Sequence, residues 1–201
     1  MARGGKWEDH YTRRARDEKW LARSVYKLQE IDKKFRLIRT GSRLLDLGAY
    51  PGSWSQYSLK KVGPKGEVVG IDLQAPGQVS APNFRFIKGD ILTLDVGWLY
   101  QQIGERDAVL SDLAPKTTGI QVADISRSEA LAGRALEIAL ALLKVQGHFL
   151  CKIFEGEDLK TFRTDLSQAF KQVRTVRPQA VRKRSREVYL LGLGRLGGST
   201  H

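Results

Sequence analysis

Residues 42–54, with the sequence SRLLDLGAYPGSW, contain the strongest structural signal in the chain. The apolar run around Leu45 is nearly continuous, which is typical of a strand covered on both faces of a sheet. Gly48 and Gly52 then allow turn dihedrals and let the backbone come close to a ligand. The glycine spacing differs from the G-x-G-x-x-G of dinucleotide-binding turns, and Pro51 lacks the N–H that a pyrophosphate would need. We therefore expect a strand, a tight turn and a helix that bind a nucleoside without a pyrophosphate, rather than an ordinary strand–helix turn.

Strand patterns and helical patterns alternate along the rest of the chain. Strands are predicted over 42–48, 67–73, 84–88, 108–113, 148–154, 173–176 and 187–193. Helices are predicted over 20–33, 54–61, 125–144 and 158–170. Ser126 and Glu129 have capping-box spacing at the start of the longest helix. The alternation predicts an α/β fold with a doubly wound sheet, and such sheets bind ligands at the carboxyl ends of their strands.

The length and composition indicate one globular domain. The chain has 201 residues, 41% of them hydrophobic, and no apolar run approaches the roughly 20 residues that span a bilayer. We expect a flexible basic segment over 1–15, a single domain over 16–195 and a flexible tail over 196–201. The lone cysteine, Cys151, excludes an internal disulfide and a cysteine-based metal cluster, and no metal site is predicted. The protein is expected in the cytoplasm, as a monomer without a membrane anchor or an obligate protein partner.

The net charge of +12 is concentrated near the two ends of the chain. Residues 1–36 contain 11 Lys and Arg against 6 Asp and Glu, and residues 171–187 contain 7 against 1, whereas residues 37–170 are neutral. A fold that brings the ends together would form one positive face, as a polyphosphate partner requires. The plainer alternative is a solvated surface, but the uneven clustering favours binding to nucleic acid.

Three carboxylates follow predicted strands at the ligand-binding edge. Asp72, after the second strand, is placed to accept hydrogen bonds from ribose hydroxyls, and Asp90 is placed to meet an adenine amino group. A turn or helix cap is an equal alternative for Asp90. Asp112 ends the fourth strand at the same edge. Lys152 lies within an apolar strand, where an unpaired ammonium is costly, so a functional pocket is favoured over a lysine at a sheet edge.

Five short motifs, in the same order, resemble those of the RrmJ/FtsJ family of ribosomal RNA 2′-O-ribose methyltransferases, whose bacterial form acts on a uridine of 23S rRNA. The motifs are ARSVYKL (22–28), LDLGAYPGSWSQ (45–56), SDLAP (111–115), KIFEGE (152–157) and RSREVY (184–189). The resemblance extends over nearly the whole chain. It implies a Rossmann-like class I methyltransferase that converts S-adenosylmethionine to S-adenosylhomocysteine. Its sheet would have seven strands, mostly parallel, with helices on both faces and an antiparallel last strand.

The resemblance also implies roles for individual residues. A tetrad around the reacting ribose would consist of Lys27, Asp112, Lys152 and Glu187. The implied cofactor contacts are Gly52, Trp54, Asp72, Asp90 and Asp112, and the turn residue Gly48 joins them because of its position. Family members commonly have glycine at the position of Ser53 and alanine at that of Tyr50. The larger Tyr50 is expected to alter the packing near the cofactor.

Substrate binding is expected from basic side chains in the two positive segments. The candidates for contact with RNA are Arg23, Arg182, Lys183, Arg184 and Arg186. The resemblance implies that the target is a uridine in the A loop of 23S rRNA, methylated on the assembled 50S subunit. Lys152 would act as a general base, or would stay charged and orient the hydroxyl; the residues alone leave both roles open.

Three competing functions are disfavoured by the same residues. A nicotinamide-dependent oxidoreductase would need the missing G-x-G-x-x-G turn. A non-catalytic RNA-binding or ribosome-assembly module would have no need of Lys152 within a strand. Methylation of a base carbon would have to use Cys151, which is predicted to point away from Lys152, and the Asp/Asn-Pro-Pro-aromatic motif of amino methylation is absent.

Overall fold

The computed structural model describes residues 10–197. Its helices are α1 (His10–Asp17), α2 (Val25–Phe35), α3 (Ser53–Val62), α4 (Val96–Ile103), α5 (Gln121–Leu142) and α6 (Leu159–Ala169). Its strands are β1 (Arg43–Leu47), β2 (Glu67–Asp72), β3 (Phe84–Lys88), β4 (Arg106–Ser111), β5 (Leu143–Phe154), β6 (Phe170–Val176) and β7 (Glu187–Arg195). The predicted segments at 1–15 and 196–201 lie partly outside the described residues. Helix α1 extends across the predicted boundary at residue 16, and Ala15 within it is buried. Residues 10–15 are therefore helical, whereas the domain boundary at residue 16 stays a prediction.

The seven strands form one sheet in the order β3-β2-β1-β4-β5-β7-β6. The first five strands in this order, β3, β2, β1, β4 and β5, pair with one another in parallel. Strand β7 is antiparallel to both of its neighbours, β5 and β6. The expected Rossmann-like, mostly parallel sheet with an antiparallel last strand is confirmed. The carboxyl ends of β1, β2, β3, β4 and β5 all lie at one edge, because parallel strands end on the same side of a sheet.

Each face of the sheet is covered by helices over an apolar core. On β1, Leu45 and Leu47 point to the face covered by α4, α5 and α6, and Leu44 points to the face covered by α2 and α3. All three leucine side chains are fully buried. Burial of each contributes about 1.5–3 kcal/mol to folding. The continuous apolar run that predicted a doubly covered strand is explained by this two-sided packing.

Several predicted boundaries differ from the structure. Helix α2 begins at Val25 rather than residue 20, β5 begins directly after α5, and helices α1 and α4 were not predicted. The capping-box prediction is wrong, because α5 already begins at Gln121 and Ser126 lies inside it. The loop before α5 is instead held by Asp124, whose carboxylate accepts hydrogen bonds from the backbone and hydroxyl of Thr118 at 2.8 and 2.9 Å. Among residues 10–197, no helix is both long and apolar enough to cross a membrane.

Candidate active site

A cavity of about 280 Å³ opens at the carboxyl ends of β1 to β4. Its lining includes four of the predicted cofactor residues, namely Gly48, Asp72, Asp90 and Asp112. The remaining walls are mostly apolar and include Ile71, Leu73, Ile91, Leu113 and Leu131. Such a mixture, with apolar walls and a few carboxylates at one edge, is typical of a nucleoside-binding site.

The turn after β1 brings the backbone close to neighbouring loops. Gly48 has φ 82°, a left-handed conformation that favours glycine. A Cβ at this position would lie 3.1–3.3 Å from the side chain and backbone of Leu113. The amide N–H groups of Gly48 and Ala49 both donate to the carbonyl of Ile71, at 2.9 and 3.1 Å. The turn is therefore fixed against β2, next to the loop that carries Asp112.

Asp72 and Asp90 each bond to nearby backbone amides. The carboxylate of Asp72 accepts hydrogen bonds from the amides of Tyr50 and Gln74, both at 3.0 Å. The carboxylate of Asp90 accepts one hydrogen bond from the amide of Leu92 at 3.0 Å, so Asp90 also stabilises the turn after β3, as its alternative role predicted. Asp90 also lines the cavity. Each carboxylate oxygen has a second lone pair, so both side chains keep acceptor capacity toward a ligand.

Gly52 and Trp54 lie outside the lining of this cavity, and their contact with the cofactor stays a prediction. A Cβ at Gly52 would lie 2.5 Å from Val79, in the loop after β2, and 2.8 Å from Leu21, in the segment before α2, so these two segments cover the position. Trp54 is buried in the core, and its indole N–H donates to the carbonyl of Ser24 at 3.0 Å. Its ring therefore holds α3 against the start of α2, and any cofactor contact would have to come from the backbone.

Asp46 is a buried carboxylate that the sequence interpretation treated only as part of the turn motif. Its Oδ2 accepts a 2.6 Å hydrogen bond from the hydroxyl of Ser55, while Oδ1 has no hydrogen-bond donor within residues 10–197. Burial raises the pKa of Asp46 to about 7; Ser55 opposes this rise, and the nearby carboxylates of Asp112 and Asp72 add to it. Asp46 therefore lies near two carboxylates of the cavity lining, although it does not line the cavity itself.

The four tetrad side chains lie together beside this cavity. The ammonium of Lys152 contacts Asp112 twice, at 3.0 Å from Oδ1 and 2.6 Å from the backbone carbonyl. Lys27 forms a salt bridge with Glu187 at 2.5 Å. Three of the side chains are almost enclosed, with exposures of 7% for Lys152 and 12% for both Lys27 and Glu187.

Tyr189 connects the two ion pairs. Its hydroxyl lies 2.8 Å from Oδ1 of Asp112 and 2.7 Å from Oε1 of Glu187, and its ring is fully buried. The Nζ of Lys27 is also 5.9 Å from the centre of this ring. Sequence reasoning did not identify Tyr189, although it lies within the RSREVY motif. Its position two residues after Glu187 on a strand, on the same face, was the available signal.

The sheet register explains why these residues meet. Lys152 on β5 pairs with Tyr189 on β7, and Phe154 pairs with Glu187. Side chains that are directly opposite, or two residues apart, share one face of a sheet. Asp112 follows β4, the parallel neighbour of β5, and Lys27 lies in the first turn of α2.

Charge balance governs the protonation of the acids in this cluster. Burial tends to raise the pKa of Asp112, but Lys152, Lys27 and the hydrogen bonds outweigh it and hold this pKa below the usual range. Burial, assisted by Asp112 and Glu187, raises the pKa of Tyr189 well above its ordinary value. Tyr189 therefore keeps its single proton, which it can share between two carboxylates but give fully to only one.

The basic segments also come together in space. Arg23, just before α2, donates to the carbonyl of Ala180, and the amide of Gln179 donates to Glu30 at 2.8 Å. Arg182, Lys183, Arg184 and Arg186 are exposed in the same loop before β7. The two regions of positive charge therefore adjoin each other beside Glu187, as the charge distribution predicted.

A sequence model of the family described as FtsJ-like methyltransferase matches residues 20–195. The chain belongs to this family. It is 45% identical over 190 residues to the ribosomal RNA large subunit methyltransferase E of Bdellovibrio bacteriovorus, covering 93% of this chain and 96% of that protein. It is 43% identical over 193 residues to the protein of the same name from Desulfatibacillum aliphaticivorans, covering 96% of this chain and 93% of that one. The crystal structure of a putative ribosomal RNA methyltransferase from Plasmodium falciparum superposes with a TM-score of 0.78 at 28% identity, covering 89% of this chain and all of that one.

In this FtsJ-like methyltransferase the surroundings of Cys151 disfavour cysteine-based chemistry. Cys151 lies in the core on the face opposite Lys152, and burial raises the pKa of its thiol to about 12. A thiol with so high a pKa is a poor nucleophile. Within residues 10–197, His, Cys, Asp and Glu side chains do not gather in a group of three or more that could hold a metal ion.

Proposed function

We propose that this methyltransferase transfers the methyl group of S-adenosylmethionine to the ribose 2′-hydroxyl of a uridine in the A loop of 23S rRNA, on the assembled 50S subunit. The observation that carries the proposal is the contact of Lys152 with Asp112, because Asp112 also lines the candidate cofactor cavity. A group that reacts with the cofactor's methyl would therefore lie within reach of Lys152. We further propose that the protein acts in the cytoplasm as a monomer, without an obligate protein partner.

The residues around the cavity fit this cofactor. Asp72 and Asp90 offer acceptors for ribose hydroxyls and an adenine amino group, between the apolar walls of Leu73 and Ile91. A larger residue at Gly48 would crowd Leu113 in the wall of this cavity. S-adenosylmethionine supplies a methyl group that is already activated by the positive sulfur.

Positioning of the ribose hydroxyl would be the main task of the tetrad. Asp112 occupies two hydrogen-bonding positions of the Lys152 nitrogen, which leaves a third for the substrate. A neutral amine would present its lone pair there and accept the hydroxyl proton. An ammonium would instead donate its third N–H and orient the oxygen.

The pH dependence of turnover separates these two roles of Lys152. A base must first lose its proton, so the rate would rise as Lys152 deprotonates. An orienting ammonium would give the opposite result, a fall in rate at high pH. Replacement of Lys152 by Arg distinguishes them independently, because a guanidinium stays protonated and would support only the orienting role.

The RNA would approach from the side of the basic loop before β7. Arg23 and the cations at 182–186 lie next to Glu187, so phosphates bound there would place a ribose near the tetrad. The 2′-hydroxyl itself would distinguish RNA from DNA.

The decisive experiment is transfer of tritium from labelled cofactor to 50S subunits that lack the modification. Labelled RNA would be digested to nucleosides, and the modified nucleotide mapped by primer extension. The proposal expects 2′-O-methyluridine at one position in the A loop, formed faster on 50S subunits than on free 23S rRNA. Label on a base, or binding to subunits without transfer, would overturn it in favour of base methylation or of a non-catalytic module.

A further inference from the structure

A second cavity, here called the distal cavity, opens between the ends of α2 and α3. Its volume is about 530 Å³. The charged residues that line it are Asp32, Lys33, Arg36, Arg39, Lys60 and Lys61. None of these residues lines the cavity that contains Gly48 and Asp72. The distal cavity is therefore separate from the candidate cofactor site.

Two helices connect the distal cavity to the catalytic end of the molecule. Helix α2 carries Lys27 of the tetrad in its first turn and Lys33 in its last turn, and α3 runs from the cofactor turn to Val62. The amide of Gly41 donates to the carbonyl of Val62 at 2.8 Å, so the end of α3 lies beside the amino end of β1. At a rise of about 1.5 Å per residue, Arg36 lies about 14 Å from Lys27 along α2.

The positive charge of the distal cavity is almost unopposed. Its carboxylate, Asp32, is buried and accepts hydrogen bonds from the amide of Ile38 at 2.9 Å and the hydroxyl of Tyr57 at 2.8 Å. Lys61 lies 3.5 Å from the same carboxylate, and the other four cations of the lining form no ion pair within residues 10–197. All five cations are exposed. Like charges gathered around one cleft attract a polyanion.

Stabilisation of the helix ends explains only part of this charge. Cations in the last turn of a helix offset the negative end of its dipole, and Lys33, Lys60 and Lys61 occupy such positions. Arg36 and Arg39 follow α2 and are not explained in this way. Arg36 also has φ 54°, a left-handed conformation that glycine adopts at helix ends without steric cost. The backbone does not require an arginine there, which favours a role for its exposed guanidinium in binding.

The residue types of the lining favour a chain of phosphates over a small organic molecule. Pockets for small molecules are lined mainly by apolar and aromatic side chains. Among the described residues of this lining, Ile38 is the one apolar side chain. Guanidinium groups bind phosphate oxygens through paired hydrogen bonds, and lysines act as point charges. The distal cavity supplies both kinds of group, as the backbone of a nucleic acid requires.

We propose that the distal cavity binds backbone phosphates of large-subunit rRNA, at a segment separate from the one that carries the methylated ribose. A distance of about 14 Å corresponds to roughly four steps of a duplex strand at about 3.4 Å each, so one nucleotide does not reach both places. The contact adds sequence-independent affinity for the subunit and takes no part in methyl transfer. The inference rests on the proposed function, because it takes large-subunit rRNA as the substrate.

The first test compares two double variants of the full chain. Arg36→Gln with Arg39→Gln removes two cations of the distal cavity, and Lys160→Gln with Arg163→Gln removes two exposed cations of α6, on the other face of the sheet. The dissociation constant for 50S subunits is measured between 50 and 200 mM salt, without the cofactor. Methyl transfer is measured in parallel.

The variant of the distal cavity should reduce the salt slope of log K by about 2, or about one unit for each phosphate contact. Its loss of affinity relative to the wild-type protein should then shrink by about 16-fold between 50 and 200 mM salt. In methyl transfer it should raise KM rather than lower kcat, because Arg36 and Arg39 are remote from Lys152. The variant of α6 should keep the wild-type slope and KM.

The second test locates the contact on the subunit. An iron chelate attached to Thr40→Cys, in the lining of the distal cavity, generates hydroxyl radicals that cut nearby RNA. The native Cys151 is buried and stays unlabelled. We expect cleavage of 23S rRNA at a segment separate from the methylated nucleotide, and no cleavage of that segment from Thr164→Cys on the exposed side of α6.

Three outcomes would overturn the inference. The first is an equal effect of the two double variants on binding, which would indicate a response to net charge alone. The second is an absence of rRNA cleavage from Thr40→Cys, which with a reduced salt slope would indicate an acidic protein as the partner. The third is cleavage confined to the methylated loop. A wild-type protein that binds 50S subunits but transfers no methyl group would refute the proposed function, whereas the distal contact would still be decided by binding and cleavage.

Discussion

Replacement of Tyr189 by Phe tests whether the two ion pairs act as one unit. The change removes one hydroxyl, which lies 2.8 Å from Asp112 and 2.7 Å from Glu187, and keeps the buried ring. A hydrogen bond to a charged group contributes about 1.5–3 kcal/mol to stability. For a chain of this length, each kcal/mol lowers Tm by about 2–4 °C. The expected loss is therefore on the order of 3–12 °C.

The same substitution should shift the titration of Asp112. The Tyr189 hydroxyl is one of the groups that lower the pKa of this carboxyl against the effect of burial, so its removal moves the pKa upward. A carboxyl with a lowered pKa in the folded state stabilises the fold above its unfolded pKa, and this stability is lost as pH falls through the folded pKa. The destabilisation by Tyr189→Phe should thus be largest near neutral pH and should shrink in acid.

The assay for Tyr189→Phe combines thermal unfolding at neutral and acid pH with methyl transfer across the same range. We expect kcat to fall by about 10-fold to 100-fold, since a charge-assisted hydrogen bond of this strength orders the reacting groups. The affinity for the cofactor should change little. Tyr100→Phe on the exposed face of α4 is the matched control and should behave as the wild-type protein does. If Tyr189→Phe keeps the wild-type Tm, pH profile and kcat, the coupling of the two ion pairs is refuted.

Three further changes probe other parts of the site. Lys152→Ala should abolish methyl transfer and leave the dissociation constant of the cofactor nearly unchanged in a binding titration, since Lys152 acts on the hydroxyl. Asp46, whose pKa burial raises to about 7, should contribute stability in acid that is lost as pH rises from its unfolded value toward that pKa, and Asp46→Asn should remove this dependence from the unfolding free energy. Joint replacement of Arg182, Lys183 and Arg184 by Gln should weaken binding to 50S subunits and reduce the salt slope of log K by up to about 3.

The outcomes that would contradict these three predictions differ. Loss of cofactor binding in Lys152→Ala would show that Lys152 serves the cofactor rather than the hydroxyl. An unchanged pH profile of stability in Asp46→Asn would mean that Asp46 does not titrate in this range. For the RNA contacts, the matched control replaces Lys65, Lys160 and Arg163 by Gln, which removes the same number of exposed charges outside the two positive segments. Equal effects of the two triple variants would indicate a response to net charge alone.

The spatial grouping of Lys27, Asp112, Lys152 and Glu187 could be predicted because it follows from order in the sheet and from alternation on strands. The apolar pattern placed Lys152 on one face of β5, and the family motifs supplied its partners. Periodicity alone gave no strand order, and the antiparallel orientation of β7 came from the resemblance. A shift of one residue in the pairing of β5 with β7 would turn Tyr189 away from Lys152, so the site depends on a register that local sequence does not specify.

The parts that could not be predicted all depend on contacts between distant segments. Asp46 belongs to a turn motif in the sequence, and its raised pKa arises only when Ser55, Asp72 and Asp112 are packed around it. The surroundings of Trp54 arise in the same way, because its indole ring packs against Ser24 and Tyr189. The cofactor contact that the family resemblance implies for Trp54 stays a prediction. A residue type at a motif position therefore predicts the local path of the backbone. The protonation and the hydrogen-bond partners of that residue depend on the distant segments that pack around it in the folded protein. For this reason the arrangement of the tetrad follows from the register of the sheet. The catalytic roles of the four residues depend on the chemistry at Lys152 and stay predictions.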